Sequence, residues 1–336
     1  MRRDQSIPRG EVHRLVHKSE VLQANPLGDP TTRDLIVWTP PDWKASESLP
    51  LLVDLKGYWS SALAHANWSP SAENVPERLD RLAHEGMARA IVAFPDCFTK
   101  LFGNQYLNSA GSGRYADYVC DEVVPLVESK FNCGGKGRRG VFGKSSGGYG
   151  AAWHGLNRAD FWDAISINSG DMGFDALYIP ALLDDLDNLR KHDNSIEKFW
   201  KAAIAKPKMS FKEQMTLMDL AQSAFYDPDP RQFMNMQLPL DPSTGEFIPE
   251  RWANWMAHDP VVMFDEKGLE LKKLKLIYMD CGDHDNFRIH FGMRRFVKKL
   301  KAAGIAHTYE EFDDDHMDVD YRMDVFLPVL AKALSA

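Results

Sequence analysis

Short apolar runs alternate with amphipathic stretches along most of this chain, and that alternation restricts the fold more than any single motif does. The runs that read as strands lie at 12–18, 33–39, 51–56, 89–94, 139–143, 163–168, 274–280 and 306–312. Leu51-Leu-Val-Asp-Leu55 shows the type: it follows Pro50 and is apolar on both faces, as a strand buried in a parallel sheet must be. Helices are predicted over 73–85, 114–129, 146–157, 286–303 and 318–335. In the last, Val319, Met323, Phe326, Leu327, Leu330 and Leu334 form one apolar stripe, and Pro328 within it should kink or interrupt the helix. From about 171 to 262 the alternation stops. That stretch is rich in Met, Trp, Phe and Asp, has helical patches at 196–205 and 211–222, and is broken by Pro207, Pro228, Pro230, Pro239, Pro242, Pro249 and Pro260. We read it as a helical cap inserted after the sixth strand. The expected architecture is α/β: a mostly parallel eight-stranded sheet with helices on both faces. Residues 1–170 and 263–336 would form the core and residues 171–262 the cap.

Composition narrows the setting. The 336 residues carry a net charge of −8 spread along the chain, which argues against nucleic acid as a partner. The stretch Met1-Arg-Arg-Asp-Gln-Ser6 lacks the apolar segment of a secretory leader, and no apolar run approaches membrane-spanning length. Cys97, Cys120, Cys133 and Cys281 lie far apart with no C-x-x-C pair, so neither a zinc site nor a disulfide framework is indicated. A reducing, cytoplasmic setting is expected, with no membrane partner; self-association is left open.

The stretch Gly140-Val-Phe-Gly-Lys-Ser-Ser-Gly-Gly-Tyr-Gly150 matches two motifs that both join a strand to a helix. Gly143-Lys144-Ser145 could end a phosphate-binding G-x-x-x-x-G-K-[ST] loop, but the position five before Gly143 holds Arg138, not the glycine that loop needs. Gly143-Lys144-Ser145-Ser146-Gly147 fits G-x-S-x-G at every position. A serine on a sharp strand-to-helix turn leaves no room for a Cβ two residues away on either side, and that symmetry centres on Ser145 rather than Ser146. Taken alone the motif also fits a Gly/Ser-rich surface turn, so the rest of the chain must arbitrate.

A serine nucleophile needs a base, a carboxylate to orient it, and donors for the oxyanion. On an α/β-hydrolase sheet these follow in the order Ser, acid, His, each after a strand. Asp280-Cys-Gly-Asp-His-Asp-Asn-Phe287 follows the seventh predicted strand and Phe312-Asp-Asp-Asp-His316 ends the eighth, so order and placement both hold. Among the eleven histidines His316 is the candidate base. His290 falls inside a helix, His154 lies two or three turns past the elbow, and His284 is in the loop of the acid. Asp313, Asp314, Asp315 and Asp318 surround His316 as a solvated acidic loop. For the acid, Asp283 and Asp285 compete, and Asp285 could equally cap the helix that follows. The oxyanion donors would be the N–H of Ser146 and the N–H of Tyr58, in the loop Lys56-Gly57-Tyr58-Trp59-Ser60 after the third strand. Gly57 and Trp59, with Tyr106, are the expected substrate contacts.

Together these segments resemble the putative-esterase (esterase D-like) family of α/β-hydrolases, which includes S-formylglutathione hydrolases, feruloyl and acetyl xylan esterases, enterochelin esterases and mycolyltransferases. The resemblance covers roughly 30–170 and 270–335. It rests on Leu51–Tyr58, Phe94-Pro-Asp96, Tyr106-Leu-Asn-Ser109, Tyr118–Pro125, the elbow, Ser169-Gly170 and Asp280-x-Gly282-x-x-Asp285-x-Phe287. It implies Ser145 as nucleophile, Asp285 as acid and His316 as base. Lys56 departs from the pattern, since many relatives have histidine there, and the stretch from 171 to 262 has no counterpart in the family core. The function implied is hydrolysis of a small-molecule carboxylic ester with an apolar or aromatic moiety, through an acyl-enzyme, with no metal or cofactor. Thioester hydrolysis or acyl transfer on the same residues is the alternative, and a non-catalytic binding module is disfavoured because all three residues are present.

Overall fold

A computed structural model describes residues 6–335. Residues 1–5, which hold most of the segment read above as lacking a leader, lie outside the described residues, as does Ala336. The main sheet has eight strands: β1 Glu11–Lys18, β2 Thr32–Thr39, β3 Leu51–Leu55, β4 Ile91–Pro95, β5 Arg139–Lys144, β6 Ala164–Asn168, β7 Leu276–Gly282 and β8 Thr308–Phe312. Their order is β1-β2-β4-β3-β5-β6-β7-β8. β2 is antiparallel to both β1 and β4, and every later pairing is parallel.

The central strands are buried on both faces because helices cover both. The pleat divides their side chains by twos: Leu51, Val53 and Leu55 enter one core, while Leu52 enters the other with Val92, Phe94 and Phe142. Among the described residues, helix α1 (Val75–His84) and the C-terminal helix pack into that second core. Helix α2 (Val124–Phe131), reached through a π-helical segment Tyr118–Val123, and helix α3 (Ser146–Asn157) belong to the first. The Asn74 side chain and Glu77 close a capping box at the start of α1, fixing its entry.

Between β6 and β7 the chain forms α4 (Phe174–Arg190), α5 (Ile196–Ile204), α6 (Phe211–Tyr226), α7 (Pro249–Met256) and α8 (Pro260–Lys267). α4 packs on α6, with α5 against both. Pro249 and Pro260 do not break helices; each begins one, at a position whose N–H would have no helical acceptor anyway. Buried Asp259 draws the two ends of this stretch together. Its Oδ1 accepts the N–H groups of Gly173 and Val261, both at 2.9 Å, and its Oδ2 accepts that of Phe174 at 2.9 Å. α8 lies against α3 and against α9 (Ile289–Ala302), alongside the sheet, so a boundary at 262 falls inside a helix.

Pro328 does not interrupt the last helix, α10, which runs from Met323 to Ser335 with Pro328 inside it. The buried stripe of Phe326, Leu327, Leu330 and Leu334 outweighs one missing backbone hydrogen bond, since each such side chain contributes about 1.5–3 kcal/mol on burial.

Candidate active site

The parallel strands place their C-terminal ends along one edge of the sheet, and four loops from that edge build the site. At the end of β5, Ser145 has φ 59° and ψ −125°, a conformation that L-residues rarely hold without support. The support is specific: its N–H donates to the carbonyls of Asn168 (3.0 Å) and Ser169 (3.1 Å), and its carbonyl accepts the N–H of Tyr149 (2.8 Å). The flanking glycines are required by space. A Cβ on Gly143 would lie 2.3 Å from the Leu55 carbonyl oxygen, and one on Gly147 only 1.7 Å from the same atom. Sheet and helix therefore close on the elbow with no room for a methyl group.

Ser146 opens α3, and its N–H has no acceptor among the described residues. The N–H of Tyr58 is free in the same way. Its loop is held from three sides: the Tyr58 hydroxyl donates to the Leu101 carbonyl, the Trp59 N–H to the Phe102 carbonyl at 3.0 Å, and the Tyr106 hydroxyl to the Lys56 carbonyl. Gly57 and Trp59 border the cavity described below, but Tyr106 does not; it is buried beneath the loop and acts on the site through Lys56. The Lys56 ammonium meets His65 Nε2, and His65 Nδ1 meets the buried Asp54 carboxylate.

The loops after β7 and β8 bring Asp285 and His316 together. Asp285 Oδ2 lies 2.6 Å from His316 Nδ1, with both side chains buried. A carboxylate can only accept, so Nδ1 carries the proton and Nε2 is left as the unprotonated nitrogen. The other oxygen, Oδ1, accepts the N–H groups of Phe287 (2.8 Å) and Ile289 (3.3 Å), so Asp285 steadies the entry to α9 while holding the imidazole. Asn286 Oδ1 accepts the His316 backbone N–H at 2.9 Å, and Phe287 packs edge-on against the imidazole at 4.7 Å. Asp283 is on the surface, bonded to His284 at 2.6 Å, with no contact to His316. Asp283, His284 and Asp313 gather ligand-type atoms within 4.8 Å of one another, but as an exposed group outside the cavity.

Ser145, Ser146, Tyr58 and His316 border one cavity of about 200 Å³. In the free protein Ser145 Oγ makes no hydrogen bond among the described residues. Leu177 and Tyr178 from α4, and Phe211, Met215 and Met218 from α6, supply an apolar wall. Polar groups also line it: Lys56, already noted as a departure from the family pattern, and Lys144, Asp171, Asp219, Gln222 and Asp320, to which the sequence reading gave no role. Burial lowers the Lys144 ammonium pKa, an effect opposed by the Asp320 charge. Burial pushes the Asp171 carboxyl up to about 6, although His316 and hydrogen bonds from Gln105 and Ser146 act the other way. Asp171 follows Ser169-Gly170 at the end of β6, and that strand-end position was the available signal. Asp219 and Gln222 sit mid-helix in α6 and offered none.

A family model described as "Putative esterase" matches residues 30–329. No curated protein sequence matches the chain. Similar solved structures include a ferulic acid esterase, 18% identical, with a TM-score of 0.61 and coverage of 97% of this chain and 99% of that one. A fluorophosphonate-binding serine hydrolase of Staphylococcus aureus is 17% identical, TM-score 0.58, over 97% of this chain and 99% of that one. An S-formylglutathione hydrolase of Agrobacterium tumefaciens is 16% identical, TM-score 0.58, over 97% and 96%. At these identities the likeness establishes the fold, that of the α/β-hydrolases.

Proposed function

The chain belongs to the esterase family matched over residues 30–329 and is a carboxylic ester hydrolase; we propose that it works through Ser145, His316 and Asp285 by way of an acyl-enzyme. The observation that carries this reading is the buried 2.6 Å bond between Asp285 and His316, on a cavity that also holds a serine in the strained elbow conformation. Ser145 Oγ attacks the carbonyl carbon and passes its proton to His316 Nε2. Asp285 fixes the tautomer in which that nitrogen is free and stabilises the imidazolium that forms. The oxyanion is received by the N–H groups of Tyr58 and Ser146, which have no competing acceptor among the described residues, and Ser146 adds the positive end of α3. His316 returns the proton to the leaving alcohol; water then enters, is deprotonated by the same imidazole, and releases the acid.

In this proposal residues 171–262 act as a cap, since α4 and α6 supply the apolar wall. The four cysteines, all buried and unpaired, support a reducing cytoplasmic location. No helix of the described residues is long and apolar enough to cross a membrane. The test is labelling with a fluorophosphonate followed by peptide mass spectrometry, alongside a screen of short-chain, long-chain and aryl esters and thioesters. A single adduct on Ser145 that blocks all turnover is expected. An adduct on Ser146, or turnover that survives modification of Ser145, would overturn the assignment.

A further inference from the structure

The cavity wall built by the loop after β6 and by α6 carries more acid than an uncharged ester requires. Asp171 and Asp219 are 7% and 5% exposed, and both border the cavity. Neither forms an ion pair with any lysine or arginine among the described residues. Burial, and then the charge of a second buried carboxyl, Asp185 on α4, holds the Asp219 carboxyl well above the ordinary carboxylate range. Asp185 is served by the Thr216 hydroxyl at 2.6 Å, with Lys212 as its more distant cation. Asp171 Oδ2 receives only two long hydrogen bonds, from Ser146 Oγ (3.3 Å) and Gln105 Nε2 (3.5 Å). Gln222, also on this wall and 1% exposed, accepts Gln105 Nε2 at its Oε1 at 2.7 Å, while its Nε2 has no acceptor among the described residues.

The basic groups on the cavity come from other elements and face other acids, the two lysines sharing Asp320. Lys56 lies 3.9 Å from Asp320, Arg322 is bonded to Asp280 (2.9 Å) and Glu310 (2.7 Å), and Lys144 faces Asp320. That leaves Asp171 and Asp219 as cavity acids without an ion-pair partner among the described residues, and the rings of Tyr178 and Phe211 and the thioethers of Met215 and Met218 line the same cavity. Carboxyls buried without a cation either hold protons or wait for a positive charge. Aromatic faces and thioethers suit a cation better than they suit an anion.

We infer that the ester cleaved at Ser145 carries an ammonium group, with Asp171 and Asp219 as its counter-ions. This rests on the ester-hydrolase reading above and names the substrate class of that same site. In the free protein, burial holds both acids above the ordinary carboxylate range, with His316 and Asp285 the charged neighbours of Asp171, and Asp185 and Asp171 those of Asp219. A bound cation reverses that balance, so preference for it should grow as pH rises from 5 to 8.

The test uses ester pairs that differ only in charge. Choline acetate ester against 3,3-dimethylbutyl acetate places the charge on the alcohol, and p-nitrophenyl 6-aminohexanoate against the heptanoate places it on the acyl group. At least one cationic member should exceed its neutral partner by about tenfold in kcat/KM at pH 8, chiefly through KM. In Asp171→Asn and Asp219→Asn the ratio should fall towards one, and because each pair is measured on one preparation, a misfolded fraction cancels. Equal or reversed preference in both pairs refutes the inference while leaving the ester-hydrolase reading intact, as does a preference that both variants retain. Failure to cleave any of the four esters counts against both.

Discussion

Replacing Gly147 by alanine would place a methyl group 1.7 Å from the carbonyl oxygen of Leu55 and 2.6 Å from its carbonyl carbon. Real Cβ atoms essentially never approach a heavy atom within 3.0 Å, so Leu55 and α3 must separate by at least 1.3 Å, the difference between 3.0 and 1.7 Å. Both clashing atoms are backbone, and no rotamer change relieves them. The backbone of Gly147 itself is unstrained, and elsewhere a helical glycine-to-alanine change stabilises by about 0.5–1 kcal/mol, so the sign here is decided by space alone. Leu55 leads directly into Lys56-Gly57-Tyr58, and the displacement therefore passes to the Tyr58 N–H. A misplacement of about 1 Å costs on the order of 10²-fold in rate, and overpacking of this kind costs about 1–3 kcal/mol in stability. Both are measurable: kcat toward p-nitrophenyl acetate, and urea unfolding. Gly155→Ala, in the same helix, is the control, because its nearest clash is with the movable Ile165 side chain at 2.6 Å. A Gly147→Ala protein with kcat within twofold of wild type and undiminished stability would refute the claim that this contact sets the oxyanion site.

Ser145→Ala should lower kcat by about 10⁴- to 10⁶-fold with the fold intact, whereas Ser146→Ala, losing only its hydroxyl contacts to Asp171 and Gln105, should cost far less; steady-state kinetics with circular dichroism decides, and the reverse pattern would move the nucleophile. Asp285→Asn should lower kcat by about 10⁴-fold, while Asp283→Asn, which touches only surface His284, should stay within a fewfold of wild type. For Asp171, a folded pKa of about 6 against 3.8 means that its contribution to stability is fully present below pH 3.8 and lost as pH rises through 6. The full loss is about 3 kcal/mol, roughly 2 of it between pH 4 and 8. Asp171→Asn lacks that dependence, so denaturation at the two pH values should show its stability relative to wild type rising by that amount; a pH-independent difference would place Asp171 in a solvated site.

The sequence determined the sheet and the elbow because both depend on local rules. Runs such as Leu51–Leu55 and Ile91–Pro95 are too uniformly apolar to sit anywhere but in a doubly covered sheet, and the eight main-sheet strands appear where they were expected. Gly143 and Gly147 mark Ser145 because steric exclusion at a tight turn leaves a pattern within five residues. Helix ends were less legible: the expected start at 286 moved to Ile289 because Asp285 draws the intervening N–H groups to its own carboxylate. The residues themselves left Asp285 and Asp283 open and only the family resemblance favoured Asp285; tertiary structure brings Asp285, not Asp283, to His316. Both lie in one short loop, and which of them meets His316, 31 residues on, depends on how the ends of β7 and β8 converge. It also decided that Tyr106 supports the Lys56 carbonyl from below, and that Asp171, Asp185 and Asp219 gather in one buried region. Those acids come from a loop and two helices, and Asp185 and Asp219 read in sequence as ordinary helix-surface residues. Burial changes their chemistry, and burial is a property of the packed chain.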